Sequence, residues 1–216
     1  MSLEVIVVDY DMGNLRSVAR ALEKAGARPR VSGTPSVLAQ AEAVVLPGVG
    51  AADAAMRSLR SRGLIDPLKE YVAAGRPFLG VCLGLQLLLD GTEEGDTPCL
   101  GIVPGRVKRL PHGLKVPHMG WNWVEFSDAH PVFEGLDQGA YFYFVHSYYP
   151  EPQEEKMVAG LTEYGVTFCS ALAHGNLAAT QFHPEKSGSL GLKIYHNFVA
   201  YAAEWASRAS SQAGRT

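Results

Sequence analysis

Short apolar strands alternating with amphipathic helices through the first half of the chain restrict its fold more than any other feature. Val5 to Val8 is a continuous apolar run. It leads to a helix expected to be capped by Asn14, with Leu15, Val18, Ala19, Leu22 and Ala25 on one face and Gly26 as its stop. Ala43 to Leu46 is a second apolar strand, again followed by a helical stretch, and a helix over Leu64 to Ala74 closes at Gly75 before the strand that opens at Arg76-Pro77-Phe78-Leu79. Apolar strands joined by helical crossovers satisfy their side chains in a parallel sheet covered on both faces, with ligands at the strands' carboxyl ends.

The second half changes character. Val103 to Leu110, Trp121 to Phe126, Tyr141 to Val145, Met157 to Glu163, Phe168 to Ala173 and Leu177 to Phe182 read as strands joined by turns such as His174-Gly175-Asn176, which adds antiparallel strands to the sheet. A helix from Ser189 to Trp205 carries Leu190, Ile194, Phe198, Tyr201, Ala202 and Trp205 inward. With 216 residues, 47% of them hydrophobic, and no linker-like stretch, one domain over 1–206 is expected, with 207–216 a small, polar, disordered tail.

The formal charge of −3 comes without a basic block, so nucleic acid finds no electrostatic footprint. Cys82, Cys99 and Cys169 are odd in number and lack metal-ligand spacing, which fits a reducing, cytoplasmic setting without disulfides; no metal and no cofactor are expected. The start, Met1-Ser2-Leu3-Glu4, has no basic n-region, and no apolar stretch is long enough to span a bilayer.

Chemistry concentrates at Gly80-Val81-Cys82-Leu83-Gly84, between the strand at Phe78 and the helical run Leu85 to Leu89. A cysteine flanked by glycines at a strand-to-helix turn is placed like a nucleophile, because the glycines relieve the crowding of a sharp turn and the helix dipole favours the thiolate. Its base is legible in Gln181-Phe182-His183-Pro184-Glu185, where a histidine at a strand end has a carboxylate two positions on. Such a pair takes a thiol proton and steadies the imidazolium. His112, His118, His130, His146, His174 and His196 lack that carboxylate and are expected to be structural or solvated. In Leu46-Pro47-Gly48-Val49-Gly50 the backbone of Gly48, Val49 and Gly50 can point N–H groups at an oxyanion, with the N–H of Leu83 as a further donor. Together these features indicate cysteine-dependent acyl transfer.

In this order and at these separations, the GVCLG, LPGVG and QFHPE segments resemble the class I (triad) glutamine amidotransferases over almost the whole chain. The resemblance implies an α/β, flavodoxin-like three-layer sandwich, mostly parallel with added antiparallel strands. It also implies a Cys82, His183, Glu185 triad and a glutamine site at Gln86, Glu94, Ser147 and Tyr148. Asp9 to Asn14, Pro117 to Asn122, Tyr143 to Tyr148 and Thr162 to Gly165 are similar to the glutaminase-subunit family of imidazole glycerol phosphate synthase. That family implies hydrolysis of glutamine through a cysteinyl thioester. The ammonia passes to a (β/α)₈-barrel cyclase subunit in a heterodimer, which makes imidazole glycerol phosphate and an aminoimidazole carboxamide ribonucleotide in histidine biosynthesis. It places Asn14, Met119, Trp121, Tyr143 and Lys186 near the subunit junction.

One departure is Asp11, where the family usually has glycine; it is expected to set the turn, with a charge contact to the partner as the alternative. Two rival readings remain. A glutaminase of an anthranilate- or aminobenzoate-type synthase would share the triad but not the PHMGWN and YFVHSYY segments, and the chain's end about one helix beyond the triad leaves no room for a fused synthase domain. A non-catalytic flavodoxin-like cysteine sensor would have no use for His183 and Glu185.

Overall fold

The computed structural model describes residues 2–95, 97–127, 130–136 and 139–213. The first half contains β1 (Glu4–Val8), α1 (Leu15–Lys24), β2 (Arg28–Ser32), α2 (Pro35–Gln40), β3 (Ala43–Gly48), α3 (Ala52–Ser61), α4 (Ile65–Ala73), β4 (Phe78–Cys82) and the single turn α5 (Leu83–Gln86). The second contains β5 (Gly91–Thr92), β6 (Gly105–Arg109), β7 (His118–Phe126), β8 (Ala140–His146), β9 (Tyr148–Pro152), β10 (Val158–Glu163), β11 (Thr167–His174), β12 (Leu177–Thr180) and α6 (Gly188–Ala213).

A nine-stranded sheet in the order β2-β1-β3-β4-β12-β11-β10-β7-β8 forms the middle layer. From β2 to β12 all neighbours are parallel, and from β12 to β8 all are antiparallel. The break in sequence character near the middle of the chain is therefore a break in strand direction. β5, β6 and β9 form a small separate sheet. One face of the large sheet packs Val5, Val7, Val45 and Val81 against Val18 and Leu22 of α1 and Ile194 and Phe198 of α6. The other packs Ile6, Val8, Val44 and Leu46 against Leu38, Met56, Leu59 and Leu68 of α2, α3 and α4. The alternation along β1 and β3 thus serves two cores, as a doubly covered parallel strand requires.

Several boundaries differ from those expected. Asn14 precedes α1, but its side chain makes no capping hydrogen bond. β12 stops at Thr180, so a bend at Gln181-Phe182 separates the strand from His183. Among the described residues α6 extends to Ala213, well past Trp205, because Ala206 to Ala213 contains no glycine or proline to stop a helix already nucleated. The expected disordered tail is therefore helical through 213, and 214–216 lie outside the described residues. β2 and β9 escaped the sequence reading. β2 is the edge strand, with Arg28 and Arg30 exposed, a polar pattern that suits an edge but hides a strand.

Asp11 occupies the left-handed region with φ 65°, the conformation for which glycine is the usual choice. Its Oδ2 accepts a hydrogen bond from Arg62 Nε at 3.2 Å, and its N–H donates to Asp9 Oδ1 at 3.1 Å. The carboxylate is thus paired within its own chain. Asp11 serves the turn, and its exposed carboxylate is engaged by Arg62. Among the described residues, no helix is long and apolar enough to cross a membrane.

Candidate active site

Cys82 ends β4 with φ 55° and ψ −111°, a backbone state that costs a non-glycine residue roughly 1–3 kcal/mol. The strain lifts the side chain out of the ladder, and its neighbours make it possible. Gly84 lies so close to β3 that a Cβ there would fall 1.8 Å from the Leu46 carbonyl oxygen, and a Cβ on Gly48 would fall 2.3 Å from the Tyr10 hydroxyl. That hydroxyl donates to the Pro47 carbonyl at 2.8 Å and ties the glycine turn to β1. The helix after Cys82 spans only Leu83–Gln86. The helical run expected through Leu89 is thus a single turn, and the macrodipole facing Cys82 is correspondingly slight.

His183 is held on three sides. Its N–H donates to the Tyr143 carbonyl at 2.9 Å. Its carbonyl accepts from Ser187 Oγ at 2.7 Å, and that same oxygen accepts from the Tyr143 N–H at 3.0 Å. Pro184 opens a 3-10 turn, Pro184–Lys186, that folds Glu185 back so that Oε1 lies 2.8 Å from His183 Nδ1. Both side chains are almost wholly buried, at 2% and 1% exposure. Burial by itself would lower the His183 pKa and is the largest single influence. Hydrogen bonding and charge from Cys82 and Glu185 together outweigh it and hold the pKa up to about 10. With Nδ1 committed to Glu185, Nε2 is the ring nitrogen left without a hydrogen-bond partner, so an orienting acid, a base and a thiol could act together here.

Cys82 and His183 open on a cavity of about 350 Å³ whose walls include Val49, Gly50, Leu83, Gln86, Glu94, Ser147 and Tyr148. Its size suits a small polar metabolite. Ser147 and Tyr148 reach it because the chain crosses there from β8 of the large sheet to β9 of the small one. Glu94 has a further task, since Oε2 accepts from the N–H of Ala52 at 2.7 Å and so fixes the start of α3 just beyond the glycine turn. Gly48 stands apart from the cavity as a ladder residue paired with Cys82, whereas Gly50 takes φ 94°. Among the described residues no cluster of His, Cys, Asp or Glu could hold a metal.

Of the residues assigned to a subunit junction, Met119, Trp121, Tyr143 and Lys186 gather beside this site. Met119 and Trp121 on β7 are 61% and 57% exposed, and Trp123 and Tyr141 extend the same apolar face. Trp121 meets Tyr143 edge to face, and Lys186 Nζ lies 5.8 Å from the centre of the Tyr143 ring. A lone aromatic is usually core, but here several large apolar side chains are exposed on one face, a composition enriched at protein interfaces. Asn14 is elsewhere, packed in the group of residues that includes His183 and Glu185.

Sequence reasoning missed Gln181, fully buried with Nε2 3.7 Å from Cys82 Sγ. Its position two residues before His183 in the QFHPE segment was the available signal. It also left His118 and His146 as separate structural or solvated residues, whereas their rings pair at 2.8 Å, with His146 in the cavity wall. Burial holds both neutral, pulling His118 from 6.5 down to about 4 and His146 to about 3. Below 6.5 the unfolded chain takes up protons that these rings refuse, so stability should fall as the pH drops from about 6.5 towards 4. Denaturant unfolding should give a lower midpoint at pH 5 than at pH 7; an unchanged midpoint would contradict the burial argument.

The family model for "Glutamine amidotransferase class-I" matches residues 6–201. A protein of Dehalococcoides mccartyi named "Imidazole glycerol phosphate synthase subunit HisH" is 52% identical over 92% of this chain and 97% of its own length. A protein of the same name from Nostoc punctiforme is 50% identical over 93% and 97%. Among solved structures, a glutamine amidotransferase from Thermotoga maritima superposes with TM-score 0.63 at 20% identity, covering 96% of this chain and 86% of that one. PurLQS from the same organism gives 0.73 at 19% identity over 93% and 99%. The two structures establish likeness of fold.

Proposed function

The chain belongs to the class I glutamine amidotransferase family, and from that premise we propose that it is the glutaminase subunit of an imidazole glycerol phosphate synthase. The observation that carries the chemistry is the His183 ring, bound at Nδ1 to a buried carboxylate 2.8 Å away and left with Nε2 to act on Cys82 at the floor of the cavity. Cys82 Sγ attacks the side-chain carboxamide carbon of glutamine. The carbonyl electrons move onto oxygen, where the N–H of Leu83 and the backbone of Val49 and Gly50 receive them. The C–N bond then breaks as His183 protonates the departing nitrogen, leaving ammonia and a glutamyl thioester. Water, deprotonated by His183, attacks the thioester; the C–S bond breaks, and glutamate leaves with the thiol restored. Gln86, Glu94, Ser147 and Tyr148 hold the substrate's polar end.

The ammonia is passed to a (β/α)₈-barrel cyclase in a heterodimer. The exposed Met119-Trp121 face, with Tyr143 and Lys186, supports this docking, and the proximity of Asn14 to His183 and Glu185 fits its assignment near the ammonia path. Tyr143 joins the two regions because its backbone holds His183 on one side while its ring borders the apolar face. A cytoplasmic location is part of this reading and rests on cysteine usage.

Glutamine hydrolysis should be slow with the chain alone and rise about 10²- to 10³-fold with the cyclase and its nucleotide ligand, the effect of one oxyanion donor turned into place. Full turnover by the isolated chain would refute partner activation. Activation by an anthranilate-type synthase instead would move the chain to that sister family.

A further inference from the structure

Two buried glutamines run from the cavity wall to the nucleophile. Gln86 Nε2 lies 2.8 Å from the Tyr148 carbonyl oxygen and 2.9 Å from Gln181 Oε1, and Gln181 Nε2 lies 3.7 Å from Cys82 Sγ. Donor and acceptor are forced at each step. A backbone carbonyl only accepts, so the Gln86 atom facing Tyr148 is its NH₂. The second proton of that NH₂ must meet an acceptor, which makes the Gln181 atom in contact with it the oxygen. The group left to face the sulfur is therefore the Gln181 NH₂.

The same carbonyl is gripped from the other side. His146 Nδ1 lies 2.9 Å from it and so carries a proton. Since burial keeps the ring neutral, Nε2 of His146 accepts from His118 Nδ1, and His118 Nε2 in turn accepts from Asn122 Nδ2 at 3.3 Å. Asn122 is oriented by the Glu163 carbonyl at 2.9 Å and by the Trp123 N–H at 2.8 Å. Every polar atom in this line has a single workable orientation, which is how a buried network rigidifies what it holds.

We propose that Gln181 is a positioning residue for the nucleophile: its N–H, locked in the donor orientation through Gln86 and the Tyr148 carbonyl, holds Cys82 Sγ in place and favours the thiolate. A donor aimed at the charged form stabilises that form. Such a donor matters here because α5 is a single turn. Titratable groups that interact with Cys82 include His183 and, just beyond β1, Tyr10, whose hydroxyl burial keeps protonated while it donates to Pro47.

The inference rests on the glutaminase reading only in taking Cys82 as the nucleophile, and its test does not need turnover. Alkylation of Cys82 by iodoacetamide, followed by peptide mass across a pH series in the full chain, reads the thiolate directly. In Gln181→Met the midpoint should rise by about one unit, and glutamine hydrolysis by the cyclase complex at neutral pH should fall about tenfold with it. Gln181→Glu keeps the shape and the acceptor for Gln86 but turns an oxygen to the sulfur, so its midpoint should rise further. Midpoints equal to the parent's in both variants would reduce Gln181 to packing and overturn the proposal. Should the variants fail to fold, Gln86→Met offers a second reading: it removes the donor that locks Gln181, so the alkylation midpoint should move in the same direction as in Gln181→Met, and a midpoint equal to the parent's would overturn the proposal. Hydrolysis retained by Cys82→Ala would instead sink the glutaminase reading itself.

Discussion

Cys82→Ala is expected to abolish glutamine hydrolysis while leaving ammonia-dependent synthesis by the complex intact. Alanine keeps the Cβ, so the backbone at φ 55° meets the same strain and the turn has no new reason to rearrange. Only the sulfur is lost, and with it the thioester. Loss of a nucleophile from a triad costs on the order of 10⁴-fold or more. The cyclase chemistry lies on another polypeptide and needs only ammonia, which the solvent can supply. Side-by-side assays with glutamine and with ammonium salt check both halves, and substantial glutaminase activity in the variant would remove Cys82 from its role. The same assays should rank His183→Ala as more damaging than Glu185→Gln. The imidazole itself moves the proton, whereas a glutamine at 185 can still touch Nδ1 while losing the charge that supports the imidazolium.

Gly84→Ala should destabilise the fold strongly, although it adds only one methyl group. The added carbon would lie 1.8 Å from the Leu46 carbonyl oxygen and 2.9 Å from its carbon. Neither can retreat, because β3 is fully buried and hydrogen-bonded to β1 on one side and β4 on the other. Relief would require moving the turn that carries Cys82 or parting the sheet at its centre. Overpacking of this kind typically costs 1–3 kcal/mol, and more where only backbone can yield, against a total stability of about 5–15 kcal/mol. The matched control is Gly91→Ala, whose nearest neighbour would be Arg106 Nη2 at 4.0 Å; it should unfold within a few degrees of the parent, as surface substitutions usually do. Thermal unfolding of both proteins decides the matter, and a parental melting temperature for Gly84→Ala would show that the turn has slack.

The parallel half of the sheet was legible because its signals are local: an apolar run, a helical stripe, a glycine where the helix must stop. Gly26 and Gly75 do take positive φ where α1 and α4 end. The triad was legible for the same reason, since Cys82 carries its glycines beside it and Glu185 reaches His183 through a two-residue turn. The motif could also give the order of the three segments along the chain. It could not give the physical reason that they meet, which is that β3, β4 and β12 are neighbours in the sheet and end on one side.

What the sequence determined by itself was therefore every residue whose role follows from its immediate neighbours. Only tertiary structure could decide the roles that depend on partners distant in the chain. Asp11 could be a turn residue or a free charge until Arg62, 51 positions away, was found beside it. Trp121 could be core or surface until β7 proved to lie near the sheet's edge with that face uncovered. Gln181 was part of the motif, but its task depends on Gln86, 95 positions away, and on Cys82, 99 away. A hydrogen bond is set by a few tenths of an ångström and by the direction of a donor. Sequence periodicity records which face a residue takes, whereas that direction is fixed only when the strands have packed.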